Sequence, residues 1–176
     1  RSRAAPTVLR PVPAACEVAP LASGAVNEPL PAPLPDRAPV RDWPAAEADF
    51  KGALALSPEE SLVLNYLGYS WVDQGQNLKT AMDYIRKAVK LKPDDGYYVD
   101  SLGWAYFRLG SLSAAVENLE RAVELKPDDP IINDHLGDAY WRVGRTLEAK
   151  YQWAQALTLK PEDDQAITLK AKIADG

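Results

Sequence analysis

A five-residue phrase recurs in this chain at a constant interval. It stands at 91–95, 125–129 and 159–163, and each copy reads leucine, lysine, proline and two acidic residues. A Leu-Gly pair also precedes each copy, at 67–68 and again in the next two units. Repetition at a fixed period of this size means that one small unit is stacked many times. The fold must therefore be built from a repeating unit of about 34 residues. The first unit has one extra residue, near Asn77.

Apolar spacing inside each unit predicts two helices. Leu64, Leu67 and Trp71 fall on one side of a helix. A glycine in a place suited to a left-handed cap then ends this first helix. The second helix carries two alanines around a large apolar residue and stops before a proline. The capping glycines are Gly75, Gly110 and Gly144, and the second-helix residues are Ala81, Ile85, Ala88, Ala115, Leu119, Ala122, Ala149, Trp153 and Ala156.

Each first helix also contains an internal glycine, at Gly68, Gly103 and Gly137. A glycine inside a helix costs about 1 kcal/mol relative to alanine, so a compensating contact is expected. The recurrent alanines of the second helix are the predicted counterparts. Two helix starts are also predicted, a capping box at 57–60 and an Asp129-Pro130 start.

The pattern resembles the tetratricopeptide repeat, whose signature places Leu-Gly, an aromatic, two alanines and a proline at fixed places in a unit of about 34 residues. The resemblance covers 61–95, 96–129 and 130–163, with 164–176 as a capping helix. It departs at Trp71, where tyrosine is usual, and at the polar Asn133. It implies an all-α, right-handed solenoid of helical hairpins. The amino-acid sequence of the repeats is similar to the C-terminal part of bacterial adaptor or lipoprotein-type members. This resemblance implies a location either in the cytoplasm or in the periplasm and envelope.

Upstream of these units, 41–60 matches the second helix of a further repeat, whose first helix belongs in 27–41. Nine of the chain's prolines lie in 1–40, so that region is predicted to be disordered. We expect the chain to be a fragment or a processed product, because it begins with arginine. The helix at 45–56 then exposes Phe50 and Leu54 and offers a surface for a homodimer.

The resemblance implies that a peptide-binding groove is lined by the first helices. Its places hold aromatic, amide and acidic side chains, namely Asn65, Tyr69, Tyr97, Asp100, Trp104, Phe107, Asp134, Asp138 and Trp141. Some members bind an acidic peptide terminus with basic groove residues, which this sequence lacks. Carboxylates beside aromatics favour an extended or helical partner segment that is basic and apolar. Packing between neighbouring first helices is the alternative role for Trp104 and Trp141. Trp43, Trp71, Trp153, Tyr106 and Tyr140 are predicted to fill the core.

Other classes of function are disfavoured. The chain has 20 basic and 25 acidic residues, which argues against nucleic acid, and no apolar run approaches the about 20 residues of a membrane span. One cysteine, Cys16, and one histidine, His135, cannot form a metal site of the usual ligands, and no catalytic or cofactor motif is present. The sequence predicts a protein-binding scaffold without catalysis. Two alternatives are the regulatory tail of an enzyme whose catalytic domain lies upstream, and a self-assembly module.

Overall fold

The computed structural model describes residues 43–175, leaving aside the side chain of Asp175. This part of the chain forms eight α-helices and no strand, which confirms the predicted all-α solenoid. The predictions for 1–40 and for a first helix in 27–41 lie outside the described residues. The helices are α1 (Trp43–Leu56), α2 (Ser61–Asp73), α3 (Leu78–Leu91), α4 (Gly96–Arg108), α5 (Leu112–Leu125), α6 (Pro130–Arg142), α7 (Thr146–Thr158) and α8 (Asp163–Asp175).

Three hairpins make up the middle of the fold, each a first helix packed on a second helix: α2 with α3, α4 with α5, and α6 with α7. The turns inside them pass through Gly75, Gly110 and Gly144, whose φ angles are +69°, +79° and +83°. Glycine takes this left-handed conformation without the steric cost that a side chain would add, so these residues end the first helices as predicted. Successive hairpins stack, and α8 packs on α7.

The predicted second-helix stripe forms the core. All six alanines of the stripe are fully buried, together with Ile85 and Leu119, and Trp153 is 3% exposed. Trp71 and Tyr140 are also buried, while Trp43 and Tyr106 are half-buried. These aromatics therefore lie against the core, as predicted. Burial of this apolar surface along the stack is the main force that holds the units together.

The internal glycines face mainly the large residue of the second helix, so the predicted alanine counterparts are wrong at Gly103 and Gly137, whereas at Gly68 an added Cβ would also lie 2.9 Å from Ala81 O. A Cβ on Gly68 would lie 2.7 Å from Ile85 Cγ1, and one on Gly103 would lie 2.6 Å from Leu119 Cγ. On Gly137 it would collide with the indole ring of Trp153. The missing side chain makes room for the large residue between the two alanines. The alanines flank this large residue and are themselves fully buried.

Of the two helix starts predicted from the sequence, the structure confirms the one at Asp129-Pro130 and contradicts the one at 57–60. Asp129 caps α6 by accepting from Ile131 N at 2.9 Å and Ile132 N at 3.1 Å, and Pro130 is the first helical residue. The predicted capping box at 57–60 is wrong, because these residues form a turn and α2 begins at Ser61 with no side-chain cap. The extra residue of the first unit coincides with Asn77, which has a φ of +46° just before α3.

The apolar face of α1 is more covered than predicted. Leu54 is only 9% exposed and Phe50 is half-buried, with its ring centroid 5.1 Å from that of Tyr66 in α2. Both residues pack against the core of the first hairpin, so the expectation that they are exposed is wrong. Leu56, at the end of α1, is 85% exposed.

No helix in the described part of the chain combines the length and the apolar character needed to cross a bilayer.

Candidate peptide-binding groove

The nine predicted groove residues all lie on the first helices α2, α4 and α6, which we call the first-helix row. Neighbouring members of the row contact one another, α2 with α4 and α4 with α6. The side chains between them therefore have two possible partners, a ligand or the next helix in the row. Several polar side chains of the row form hydrogen bonds within the chain.

Asp100 is paired with the next first helix. It is 6% exposed, and its Oδ1 and Oδ2 lie 2.8 and 3.0 Å from Nδ1 of His135 in α6, which is 2% exposed. The ring nitrogen donates to Asp100 in the tautomer that carries a proton on Nδ1, because a carboxylate oxygen accepts hydrogen bonds. The His135 ring stacks on Trp104, with centroids 4.1 Å apart and planes 14° apart. Trp104 therefore packs between neighbouring first helices, the second of the roles that its position left open.

Asp134 and Asp138 share one in-chain cation. Lys172 Nζ of α8 donates to Oδ1 of both, at 2.6 Å each. Gln165 Nε2 also donates to Asp134 at 3.3 Å, and Trp153 Nε1 donates to Asp138 at 3.1 Å. Burial raises the pKa of Asp138, and the charge of Lys172 opposes that rise. Lys172 of α8 thus partly neutralises two of the three carboxylates in the predicted groove.

The aromatic residues of the row are less completely covered than Asp100 and Asp134. Trp104 stacks on Phe107 at 4.8 Å, and the guanidinium carbon of Arg142 lies 5.4 Å from the Phe107 ring. Trp141 is 39% exposed and lies 5.7 Å from the ring of Trp153. Tyr69, Tyr97, Trp104 and Phe107 are half-buried. Four of these rings, Tyr69, Trp104, Phe107 and Trp141, lie on the three successive helices of the row, and we call them the aromatic strip.

Two polar atoms in the row are buried without a hydrogen-bond partner among the described residues. They are Asn65 Oδ1 and the indole nitrogen of Trp104, Nε1. Buried polar atoms are satisfied in most proteins, and each unsatisfied one costs about 1–3 kcal/mol. Both atoms belong to predicted groove residues on neighbouring helices.

His135 and Lys172 were not predicted as partners of the groove residues. Lys172 stands one repeat length after Asp138, in the same place of the repeat, so extending the register into α8 points to it. His135 occupies no groove place, and its pairing depends on how far α6 is offset from α4. Within residues 43–175, no group of three or more His, Cys, Asp or Glu side chains is arranged to hold a metal ion.

Two family models match the chain. One, described as tetratricopeptide repeat, matches residues 40–96, and the other, described as TPR repeat, matches 103–144. Together they cover more than half of the sequence. The chain belongs to the tetratricopeptide repeat (TPR) family. A curated relative, TPR repeat-containing protein PA4667 of Pseudomonas aeruginosa, is 38% identical over 72 residues, which are 41% of this TPR chain but only 12% of that protein.

Solved TPR structures share the fold. MamA superposes with a TM-score of 0.60 at 22% identity, over 76% of this chain and 88% of MamA. TTC0263, a thermophilic TPR protein of Thermus thermophilus, gives 0.63 at 24%, over 73% and 72% of the two chains. The first TPR of Spaghetti (RPAP3), bound to the HSP90 peptide SRMEEVD, gives 0.58 at 26%, over 66% and 91%. These likenesses support the TPR fold, and the family models together with the peptide-bound Spaghetti structure support, in general terms, a role in protein interaction.

Proposed function

We propose that this TPR chain is a scaffold that binds a segment of a partner protein along the first-helix row and carries out no reaction itself. The observation that carries the proposal is the aromatic strip of Tyr69, Trp104, Phe107 and Trp141. Aromatic residues dominate the energetics of protein interfaces, because they bury much apolar area at a low cost in conformational entropy. Trp141 is 39% exposed at the end of the strip, where a partner can reach it.

The partner segment is proposed to be mainly apolar, either extended or helical. The sequence favours a basic segment as well, on account of Asp100, Asp134 and Asp138. In the structure Asp100 is paired with His135, and Lys172 takes both of the other carboxylates. A basic ligand side chain would have to replace Lys172, so basic character adds less to binding than the sequence alone suggests. Apolar contact with the aromatic strip remains as the principal attraction.

An acidic ligand is a poor fit for this part of the chain. The Spaghetti (RPAP3) structure holds the peptide SRMEEVD, which contains three acidic residues. In this chain the groove places where basic or polar residues would be needed hold Tyr69, Trp104 and Ile131, and carboxylates hold other places. The likeness to that complex therefore supports peptide binding in general and not that peptide.

The unpaired atoms indicate where a main chain would add hydrogen bonds. A carbonyl of the segment would satisfy Trp104 Nε1, and an amide N–H would satisfy Asn65 Oδ1, after small movements of the two side chains. Relief of two unsatisfied buried groups would favour binding beyond the apolar contact. A ligand that lies along the row reaches both helices, α2 and α4.

The test is capture of a partner by the full chain, followed by binding measurements on the identified segment. Trp141→Ala should weaken binding at least about tenfold, the usual scale for an interface aromatic. Tyr151→Ala is the matched control, since Tyr151 is 67% exposed on α7, outside the row, and should leave binding unchanged. Equal affinity for the wild type and Trp141→Ala would refute the aromatic strip as the site. Turnover of a substrate by the purified chain would refute the absence of catalysis.

A further inference from the structure

Each second helix carries a stripe of side chains on the side away from the core. In α3 this stripe lies opposite the buried Ala81 and Ala88. Its members are spaced by three or four residues, so they share one side of the helix. We call these stripes the outer stripes. They are Lys79, Asp83, Arg86 and Lys90 in α3; Ser113, Glu117, Glu120 and Glu124 in α5; and Leu147, Tyr151, Ala154 and Thr158 in α7.

The outer stripes are exposed because of where they lie on each second helix. Eleven of the twelve side chains are exposed, and Glu120 is half-buried. Helices α3 and α5 are each followed by a further hairpin, and their outer stripes remain open to solvent. Leu147 and Tyr151, at 80% and 67% exposure, occupy the same places in α7. Their exposure is therefore a property of these places in every hairpin.

The three outer stripes differ in charge. The α3 stripe has three cations and one acid, the α5 stripe has three acids and no cation, and the α7 stripe has no charged residue. Within residues 43–175, Lys79, Lys90, Glu117 and Glu124 form no ion pair. Unpaired charges of opposite sign thus lie on two consecutive second helices, beside a third whose stripe begins with two large apolar side chains.

We infer that two copies of this chain pair through their outer stripes, about a two-fold axis that runs parallel to the second helices between α3 and α5. This axis lays α3 of each molecule beside α5 of the other, so a basic stripe meets an acidic stripe twice. A two-fold axis perpendicular to the helices would lay each stripe on its own copy, basic on basic and acidic on acidic. Like charges in contact oppose association, so the charge pattern selects the parallel axis.

The same axis brings α7 of each molecule to α1 of the other. The places of the outer stripe hold small or apolar residues in α1 as well, apart from one lysine, and all four are exposed. They are Pro44, Ala48, Lys51 and Ala55. In this arrangement Leu147 faces Pro44 of the second copy, and Tyr151 faces its Ala48. Burial of these side chains adds an attraction that salt does not screen.

A second copy suits this surface because each outer stripe then meets its complement, basic with acidic and apolar with apolar. The centre of the contact is formed by α3 and α5, whereas the homodimer predicted from the sequence uses the helix at 45–56 alone. The first-helix row lies on other helices and stays uncovered. The dimer therefore carries two rows, and its existence does not depend on the proposed function.

Charge reversal tests the pairing in solution. Lys90 and Glu124 hold the same place in their stripes, so each Lys90 should meet Glu124 of the second copy. Sedimentation equilibrium of the full chain should show monomer and dimer with no larger species. Lys90→Glu alone, or Glu124→Lys alone, puts like charges together at two symmetric contacts and should raise the dissociation constant at least about tenfold. An equimolar mixture of the two variants should form a heterodimer about as tight as the wild-type dimer, because both contacts are then oppositely charged.

Two matched variants control for the change in charge. Lys170→Glu and Glu60→Lys make the same reversals at exposed positions outside the outer stripes, so the dissociation constant should stay at the wild-type value. Circular dichroism checks that every variant keeps its helices. A wild type that stays monomeric at every concentration would overturn the inference, as would oligomers larger than a dimer. Failure of the two folded variants to form a heterodimer would also overturn it.

Disulfide trapping tests the apolar part of the contact without any change in charge. In a Cys16→Ser background, Ala48→Cys with Tyr151→Cys should give a covalent dimer on a non-reducing gel, because the two positions face one another across the interface. Ala48→Cys with Ala171→Cys, an exposed position on α8, should give none. Equal cross-linking of the two pairs would contradict the two-fold arrangement.

Discussion

His135 and Asp100 lie on neighbouring first helices, with His135 Nδ1 2.8 Å from Asp100 Oδ1 and both side chains buried. The pair links α4 to α6 from the side of the first-helix row, whereas the second helices hold the same units together through apolar contacts. The Trp104 ring, stacked on His135 at 4.1 Å, covers the pair. The shape of the candidate groove therefore depends on a polar contact inside it.

Removing one partner of this pair should destabilise the stack. Asp100→Ala leaves the buried His135 Nδ1 without its acceptor, so the free energy of unfolding should fall by about 1–3 kcal/mol. Urea unfolding followed by circular dichroism measures the change. His135→Ala in the Asp100→Ala background should cost less than it does in the wild type, which reveals the coupling.

Asp94→Ala is the control for that pair, because Asp94 is 87% exposed and its contact with Arg121 is 3.6 Å long. Exposed ion pairs of this kind contribute about 0–1 kcal/mol. A loss for Asp100→Ala no larger than that for Asp94→Ala would contradict a structural role for the buried pair.

Two glycine-to-alanine changes should have opposite effects. Gly52 lies within α1 with nothing within 4 Å of an added Cβ, so Gly52→Ala should stabilise the protein by about 0.5–1 kcal/mol through helix propensity. At Gly137 the added Cβ collides with Trp153, so Gly137→Ala should destabilise it by about 1–3 kcal/mol. The shift of the thermal midpoint measures both. If both changes stabilised the protein, the close packing of Gly137 on Trp153 would be disproved.

The repeat register predicts the helices well, because each helix end depends on local residues. Gly75 and Asp129 act through their own backbone conformation and side-chain caps. Which residue contacts Gly137 depends on packing between helices. The periodicity of the sequence predicts the side of the helix on which a residue lies, but not the residue that it contacts. The sequence shows alanines and glycines recurring together, but the space left by a missing Cβ is filled by the large Trp153 between two alanines.

Tyr140 should ionise at an unusually high pH. Burial, together with the carboxylate of Glu120, which accepts the phenolic hydrogen bond at 2.7 Å, raises the pKa of Tyr140 from 10.0 to about 12. Between these two pH values an unfolded chain ionises this tyrosine and the folded one does not, so its contribution to stability is present below pH 10.0 and is lost as the pH rises towards 12.

The difference between the alkaline absorbance titrations of the wild type and Tyr140→Phe isolates this one of the eight tyrosines. Its midpoint should lie well above 10, and the stability of Tyr140→Phe should fall less steeply over the same range. Tyr151→Phe, a change at an exposed side chain of α7, is the control for the loss of one phenolic hydroxyl. A Tyr140 midpoint near 10 would rule out the buried, acceptor-bound hydroxyl.

The candidate site, like the contact of Gly137, could be predicted only in part, because its contacts depend on packing between helices. The register correctly puts Trp104, Asp138 and the other groove residues on the first helices, because it depends on helix geometry alone. Their in-chain partners depend on the offset between stacked units, as the pairing of Asp100 with His135 shows. Lys172 of α8 meets Asp138 for the same reason. Charge counted along the groove places therefore overestimates the charge that a ligand would encounter.

Lys172→Met should destabilise the fold in a pH-dependent way. Lys172 Nζ donates to both Asp134 and Asp138, and burial already raises the pKa of Asp138 above its ordinary 3.8 in the presence of that cation. Without the cation the folded-state pKa should rise further, so the ionised Asp138 then opposes folding more strongly. The extra loss is fully present above the raised pKa and disappears as the pH falls below 3.8, where the carboxyl is protonated in both states. At pH 7 we expect a loss of about 1–3 kcal/mol.

Lys170→Met, an exposed change on the same helix, should shift stability by less than about 0.5 kcal/mol at any pH. Urea unfolding of both variants and the wild type at pH 7 and pH 3.5 makes the comparison, and an equal deficit for Lys172→Met at both pH values would contradict the bridge between the two carboxylates.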